Sequence, residues 1–242
     1  MTQTSIKPVQ KKETSYICQM FKTIAPKYDL LNNLMTFGFH KQWKRKTIKL
    51  ALKECKNPCK VLDLCAGTGD LALMLRNHCP DTHITIIDNC NEMLNIAENK
   101  IKKLNTKNIT IKHSNCENIE TEQDLYDLVT IGFGLRNLIN KEKCLSNVYK
   151  LLSRNGVFAC IDLGHPTNPF WAKLFNFYFF KVVPRLGEIF ACNKEAYTYL
   201  PESLIGWYKQ EELKNIILQA GFKKCFYKNI MGGIVAIHIA VK

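Results

Sequence analysis

Two acids and a run of small residues carry the first chemical signal. The stretch Val61-Leu62-Asp63-Leu64-Cys65-Ala66-Gly67-Thr68-Gly69-Asp70 reads as a strand that turns into a helix. Gly67 and Gly69 let a ligand approach the backbone closely, and the following helix points its free N–H groups into the gap. The spacing is not the G-x-G-x-x-G of dinucleotide sites. Asp63 lies inside the strand, ahead of the glycines, where a carboxylate repels a pyrophosphate but accepts hydrogen bonds from a cationic ammonium group. Asp88 closes the next strand about twenty residues past the turn, from where an acid can accept from both hydroxyls of a ribose. The expected ligand is therefore ribosylated, positively charged and free of phosphate at the turn. S-adenosylmethionine meets that description, with Asn115 and Cys116, after the third strand, expected beside its adenine.

A second signal follows the fourth strand, at Gly132-Phe133-Gly134-Leu135-Arg136-Asn137. Ligands of open α/β sheets sit beyond the strand ends. Two glycines beside an arginine and an amide at such an end would set a fixed cation, Arg136, and its neighbour Asn137 next to the transferable methyl group.

The elements that position these groups alternate short apolar runs with amphipathic segments, the pattern of a parallel sheet wrapped by helices. Strands are expected at Lys60–Leu64, His83–Asp88, Ile109–His113, Leu125–Phe133 and Gly156–Leu163, with helices at Leu71–Arg76, Glu92–Lys103 and Lys141–Leu152. The polar stop Ser153-Arg154-Asn155 before Gly156 is expected to end the last helix. A helix at Gln210–Ala220 precedes two β-rich runs, Lys223–Asn229 and Ile234–Val241, whose short connection requires antiparallel pairing. Residues 16–52 read as an N-terminal helical cover, with a break at Pro26 and a further helix from about His40. Residues 166–205 hold an aromatic-rich insertion from Phe170 to Phe180 on the substrate side. The expectation is one α/β domain over residues 16–242, preceded by a flexible stretch, residues 1–15.

Composition narrows the partners. The 242 residues are 46% apolar, enough for one large core, which excludes disordered and fibrous classes. A net charge of +13 invites nucleic acid or an anionic membrane, but only Arg45, Arg76, Arg136, Arg154 and Arg185 are arginines; the excess of Lys, Asn and Ile reads as compositional drift with a solvated lysine surface. Eleven cysteines are scattered without paired spacing, so neither disulfides nor a metal site is expected, Cys55 and Cys59 included. The region Met1–Glu13 lacks the apolar core of a secretion signal, and Leu174–Val183 is too short to span a bilayer, so a cytoplasmic location is expected.

The segments above also resemble the ubiquinone/menaquinone biosynthesis C-methyltransferases. The likeness covers Met20 to Lys242 and includes Tyr28-Asp29-Leu30-Leu31-Asn32, Phe37-Gly38-Phe39-His40, Leu62–Asp70, Phe133–Asn137, Pro184-Arg185-Leu186-Gly187, Tyr197-x-Tyr199-Leu200-x-Glu202-Ser203 and Gly232-Gly233-Ile234-Val235-Ala236. The resemblance implies a class I methyltransferase fold that methylates a ring carbon of a polyprenylated hydroquinone, with cofactor contacts on Thr68, Asp88, Asn115 and Cys116. Gly132 stands where many relatives carry serine, so a side-chain contact there is lost. Tyr28, Asp29, His40 and Tyr199 are candidates for the acceptor pocket. Arg136, oriented by Asn137, is expected to stabilise a developing phenolate, a contribution of ~3 kcal/mol. The tail needs apolar cover, for which the aromatic insertion and the N-terminal helices are candidates as a tunnel or as a membrane contact on the inner face; the alternative reading of the aromatic stripe is core, or a face for a homodimer or biosynthetic complex. An RNA methyltransferase fits less well: the fourth strand ends in Gly-Phe-Gly-Leu rather than the Asn/Asp-Pro-Pro-aromatic turn of base-amino methylation, and no cysteine lies between Cys116 and Cys144 to serve as nucleophile. Nucleic acid is not an expected partner, and a non-catalytic scaffold conflicts with the intact Asp63, Asp88 and Arg136.

Overall fold

The structure, a computed structural model, describes residues 14–119, 125–191 and 199–242. Most of the expected flexible stretch lies outside the described residues, as do residues 192–198 of the 166–205 insertion, Tyr197 among them.

Seven strands form one sheet: β1 (Lys60–Leu64), β2 (His83–Asp88), β3 (Ile109–His113), β4 (Tyr126–Gly132), β5 (Leu152–Leu163), β6 (Lys224–Ile230) and β7 (Val235–Val241), in the order β3-β2-β1-β4-β5-β7-β6. β1 to β5 are parallel, and β7 runs antiparallel to both β5 and β6. The expected terminal hairpin is thus present and joins the sheet through β7. Strand periodicity of two sorts the core into two layers. Leu62, Leu64, Phe158 and Cys160 face one layer, while Val61, Val157, Ala159 and Ile161 face the other. Because both faces are covered, the strands read as nearly continuous apolar runs.

Around the sheet lie α1 (Thr14–Ile24), α2 (Tyr28–Thr36), α3 (Phe39–Glu54), α4 (Asp70–His78), α5 (Asn91–Lys103), α6 (Lys141–Leu151), α7 (Pro169–Phe177), α8 (Val183–Ala191) and α9 (Gln210–Gln219). The chain leaves β1 for β2 on one side and reaches β4 on the other, so strand order reverses at β1. That reversal opens the crevice at the carboxyl ends of β1 and β4 where ligands bind in such sheets.

Two expectations need correction. The break at Pro26 is a single 3₁₀ turn, Ala25–Lys27, after which α2 begins at once. Phe37 and Gly38, both at positive φ (50° and 76°), then separate α2 from α3, so the cover has one more helix than its sequence suggests. The polar segment after α6 is not a free loop either. α6 ends at Leu151 and β5 starts at Leu152; Tyr126 pairs with Leu152 and Leu128 with Val157, so residues 153–156 bulge out of a strand already under way. Asn155 carries the strain of that bulge at φ 61°. Asn155→Gly should keep or raise stability by up to ~1 kcal/mol, whereas the β-branched Asn155→Val should lower it by ~1–2 kcal/mol in denaturant unfolding.

Candidate active site

Two cavities meet at the carboxyl edge of the sheet. The smaller lies over the ends of β1, β2 and β4 and is lined by Gly67, Asp88, Met93, Asn115, Cys116 and Asn137, with Ile17, Cys18 and Phe21 of α1 closing it from above. The larger, about 460 Å³, runs between α2, α3 and α7 and is lined by Tyr28, His40, Thr68, Arg136 and Tyr199 together with Phe175, Phe179 and other apolar groups. Phe21, Tyr28, Cys65, Gly67, Gly132 and Phe133 belong to both.

The turns that shape this edge need small residues for physical reasons. A Cβ on Gly134 would lie 2.4 Å from Cys65 Cβ, and one on Gly132 would lie 2.6 Å from Leu71 Cδ1. The connections after β1 and β4 therefore touch backbone to side chain with nothing between them. Gly69 holds φ +77° as it starts α4, a conformation that glycine adopts without a steric cost.

Asp88 accepts the Gly67 N–H at 2.8 Å on Oδ2 and the Cys90 N–H at 2.9 Å on Oδ1. Burial raises its pKa, with the amide donors acting against that rise. The carboxylate keeps lone pairs toward the cavity, which suits a pair of ribose hydroxyls. Cys116 Sγ accepts from Cys65 N at 3.2 Å, and Asn115 Oδ1 caps Glu117 N at 2.9 Å, so both side chains are tied to the loop they line.

Arg136 is the buried cation that its sequence position suggested, but it is not a lone charge. Its Nη1 donates to Asp162 Oδ1 at 2.6 Å and to the Phe133 carbonyl at 2.7 Å, and its Nε donates to Ser203 Oγ at 3.1 Å. The side chains of this pair are 5% and 2% exposed. Nη2 makes no hydrogen bond among the described residues and is not sealed off, so one edge of the guanidinium faces the large cavity. Asn137 accepts the Tyr199 hydroxyl at 3.1 Å on Oδ1 and contacts Phe133 O through its amide nitrogen at 3.4 Å. It positions Tyr199 rather than Arg136.

Three expected residues are not brought to either cavity. Asp63 points along the strand face toward β4, where the Thr130 hydroxyl donates to it at 2.6 Å, and it is 1% exposed. Its other oxygen makes no hydrogen bond, and burial pushes its pKa up to about 7. Asp63 thus underlies the turn instead of meeting a ligand directly. Asp29 accepts from Thr68 Oγ1 at 2.8 Å and from Lys100 Nζ at 2.7 Å, fastening α2 to the turn after β1. Gly69 only shapes that turn. Missed altogether were Asp162, read as part of a strand, and the lysines Lys44 and Lys100, which flank Asp70 at 2.8 Å each and hold its carboxyl far below the usual carboxylate range despite burial.

S-adenosylmethionine fits this cleft on the structure's own terms: a carboxylate at the end of β2 for a diol, a glycine turn open to close approach, and, among the described residues, no lysine or arginine lining the smaller cavity to hold phosphate. A seven-stranded sheet with this order and this crevice defines a class I S-adenosylmethionine-dependent methyltransferase. Solved structures agree in fold: a SAM dependent methyltransferase from Aquifex aeolicus matches with a TM-score of 0.58 at 19% identity over 80% of this chain and 88% of that one. The plantazolicin methyltransferase BpumL, solved with SAH, matches at TM-score 0.65 and 13% identity over 93% of each chain. The model of the ubiE/COQ5 methyltransferase family matches residues 9–242. Curated relatives include proteins named Ubiquinone/menaquinone biosynthesis C-methyltransferase UbiE from Blochmanniella pennsylvanica, 35% identical over 100% of this chain and 96% of the relative, and from Rickettsia bellii, 36% identical over 96% and 94%. The chain belongs to the ubiE/COQ5 methyltransferase family. It is an enzyme that takes its methyl group from S-adenosylmethionine.

The raised pKa of Asp63 has a stability consequence. Its native state holds a proton more tightly than its unfolded state, so the associated stability is fully present below the unfolded carboxylate pKa and lost as pH rises through about 7. Asp63→Asn should therefore flatten the fall in stability expected for the wild type between about pH 4 and 7 in denaturant titrations.

Proposed function

We propose that this protein C-methylates the ring of a polyprenylated hydroquinone, a benzoquinol, a demethylmenaquinol or both, in ubiquinone or menaquinone biosynthesis. Family membership and the names of the full-length relatives support the reaction. The observation that carries the substrate class is the large cavity itself: one polar end at Arg136 and Tyr199, and a long wall of Trp171, Leu174, Phe175, Tyr178, Phe179 and Val183. That is the shape of a quinol head joined to an apolar tail, whose burial yields ~0.8 kcal/mol per CH₂.

When bound, S-adenosylmethionine supplies an electrophilic methyl group on a sulfonium. Asp88 would hold its ribose, with Asn115 and Cys116 against the adenine and Gly67 and Thr68 along the turn. A neutral ring carbon is a weak nucleophile, so the ring hydroxyl must lose its proton for charge to reach the carbon beside it. Arg136 stabilises that oxygen through its free Nη2, held in place by Asp162, Phe133 O and Ser203. Because Asp162 balances its charge, the contribution comes from a directed N–H and not from a net field. Holding the acceptor carbon in line with the methyl adds further acceleration.

Exposed Phe37, Phe39 and Leu174 line the large cavity, and exposed Phe170 and Phe177 lie on α7 with Leu174. Among the described residues no helix is long and apolar enough to cross a membrane. These exposed groups suit a peripheral contact with the lipid surface that holds the tail, and a second copy of the chain is the competing occupant. Replacing Phe37 and Phe170 together with Glu should abolish flotation with anionic vesicles and leave the sedimentation mass unchanged; a drop in mass instead would assign these groups to a dimer.

Arg136→Ala should lower turnover of a demethylated quinol by ~10²-fold or more while cofactor affinity, read by calorimetry, stays near that of the wild type. Wild-type turnover in that variant would remove Arg136 from the chemistry. Asp162→Ala should be worse for the fold, costing ~3–5 kcal/mol because it strands a buried guanidinium.

A further inference from the structure

The ring hydroxyl must give its proton to some group, and the large cavity offers few takers. Arg136 does not deprotonate, the Lys44 ammonium is ion-paired to Asp70, and the Cys65 thiol is pushed well above its ordinary pKa by its neighbour Cys116 and by burial. Tyr28, Tyr178 and Tyr199 present phenols, which donate more readily than they accept protons.

His40 is different, and its hydrogen bonds fix which nitrogen is basic. Thr36 Oγ1 lies 2.6 Å from Asn32 O, a carbonyl that only accepts, so the single hydroxyl proton is spent there. His40 Nδ1 lies 2.8 Å from the same Thr36 oxygen and must therefore be the donor. The other ring nitrogen, Nε2, carries the bare lone pair. It has no hydrogen-bond partner among the described residues, and it is not one of the sealed-off polar atoms, while the ring itself lines the large cavity. We propose that His40 is the general base of this methyltransferase, its Nε2 taking the hydroxyl proton of the quinol.

Burial and the nearby Lys44 hold the imidazole pKa down to about 4, so the ring is neutral at physiological pH with Nε2 unprotonated; as a weak base it takes the hydroxyl proton in concert with attack of the ring carbon on the methyl group. Lys41 acts in the same direction, and Asp70 and Asp29 oppose them. The step balances as follows. The O–H bond breaks, its electrons remain on oxygen and its proton passes to Nε2. The ring carbon forms a bond to the methyl group as the C–S bond breaks with both electrons left on sulfur. The same carbon then loses its hydrogen as a proton to water, and the imidazolium returns its proton to the oxygen. This assignment rests on the quinol C-methylation proposed above.

Two measurements test it. Nitrogen-15 NMR of the full-length protein at neutral pH should show His40 protonated on Nδ1 and bare on Nε2; a proton on Nε2 overturns the proposal. His40→Gln should lower kcat ~100-fold or more with cofactor affinity unchanged, and its residual rate should climb with pH as hydroxide replaces the base, whereas the wild-type rate stays flat across neutral pH. Thr36→Val, which leaves the ring in place but removes its anchor, should give an intermediate loss that Thr36→Ser restores. Wild-type kcat in His40→Gln alongside an active wild type overturns the base alone. An inactive wild type toward every demethylated quinol tested would instead sink the proposed reaction, and this step with it.

Discussion

A guanidinium and a carboxylate taken out of water together must have every remaining donor and acceptor met, or the desolvation cost of several kcal/mol per ion goes uncompensated. Arg136 and Asp162 meet that demand everywhere but at Nη2, which faces the large cavity, by drawing three parts of the chain onto one charge pair. Asp162 accepts the Arg136 backbone N–H at 3.1 Å as well as its side chain, and Arg136 reaches back to the carbonyl of Phe133 and across to Ser203. The end of β4, the end of β5 and the segment after the insertion are fixed relative to one another by this satisfaction of polar groups. The β4 connection so held presses against Cys65, and at Gly134 only glycine fits.

A second polar cluster fastens the N-terminal helices to the same edge. Lys100 on α5 bonds Asp29 of α2, Asp70 of α4 and the hydroxyl of Thr68. Ion pairs at partly exposed positions contribute little singly, but a shared lysine orders several side chains at the entropic expense of one. The cover is thereby held where α2 and α3 place His40 and Tyr28 on the acceptor side. Other lysines, Lys22, Lys102 and Lys224, pair singly with Glu on the surface.

Much of this was readable before folding was considered. Parallel strands buried on both faces leave uninterrupted apolar runs, so β1 and β2 stood out, and the acid after β2 could be placed from spacing alone. What escaped notice was set by pairings far apart in the chain or by breaks that look like ends. Asp162 reads as one polar residue in an apolar strand until β4 and β5 are laid side by side. Pro26 and the Phe37-Gly38 turn hide a nine-residue helix, α2, because each is an ordinary stop signal. Asp63 occupies the expected position in sequence, yet strand alternation aims it at Thr130 rather than at the cleft. The tautomer of His40 depends on Thr36 and Asn32 lying one turn apart on a helix that the pattern alone did not reveal.

The partition between the two cavities is made of Phe21, Tyr28, Cys65, Gly67, Gly132 and Phe133, and each of these touches both spaces. A bulkier or more polar residue on that partition would change the affinity for donor and acceptor together. Selection for a different ring therefore has little freedom there. It must act instead on the outer lining, at Trp171, Leu174 or Leu200, where a change in contour reaches only the quinone precursor and leaves the nucleoside undisturbed.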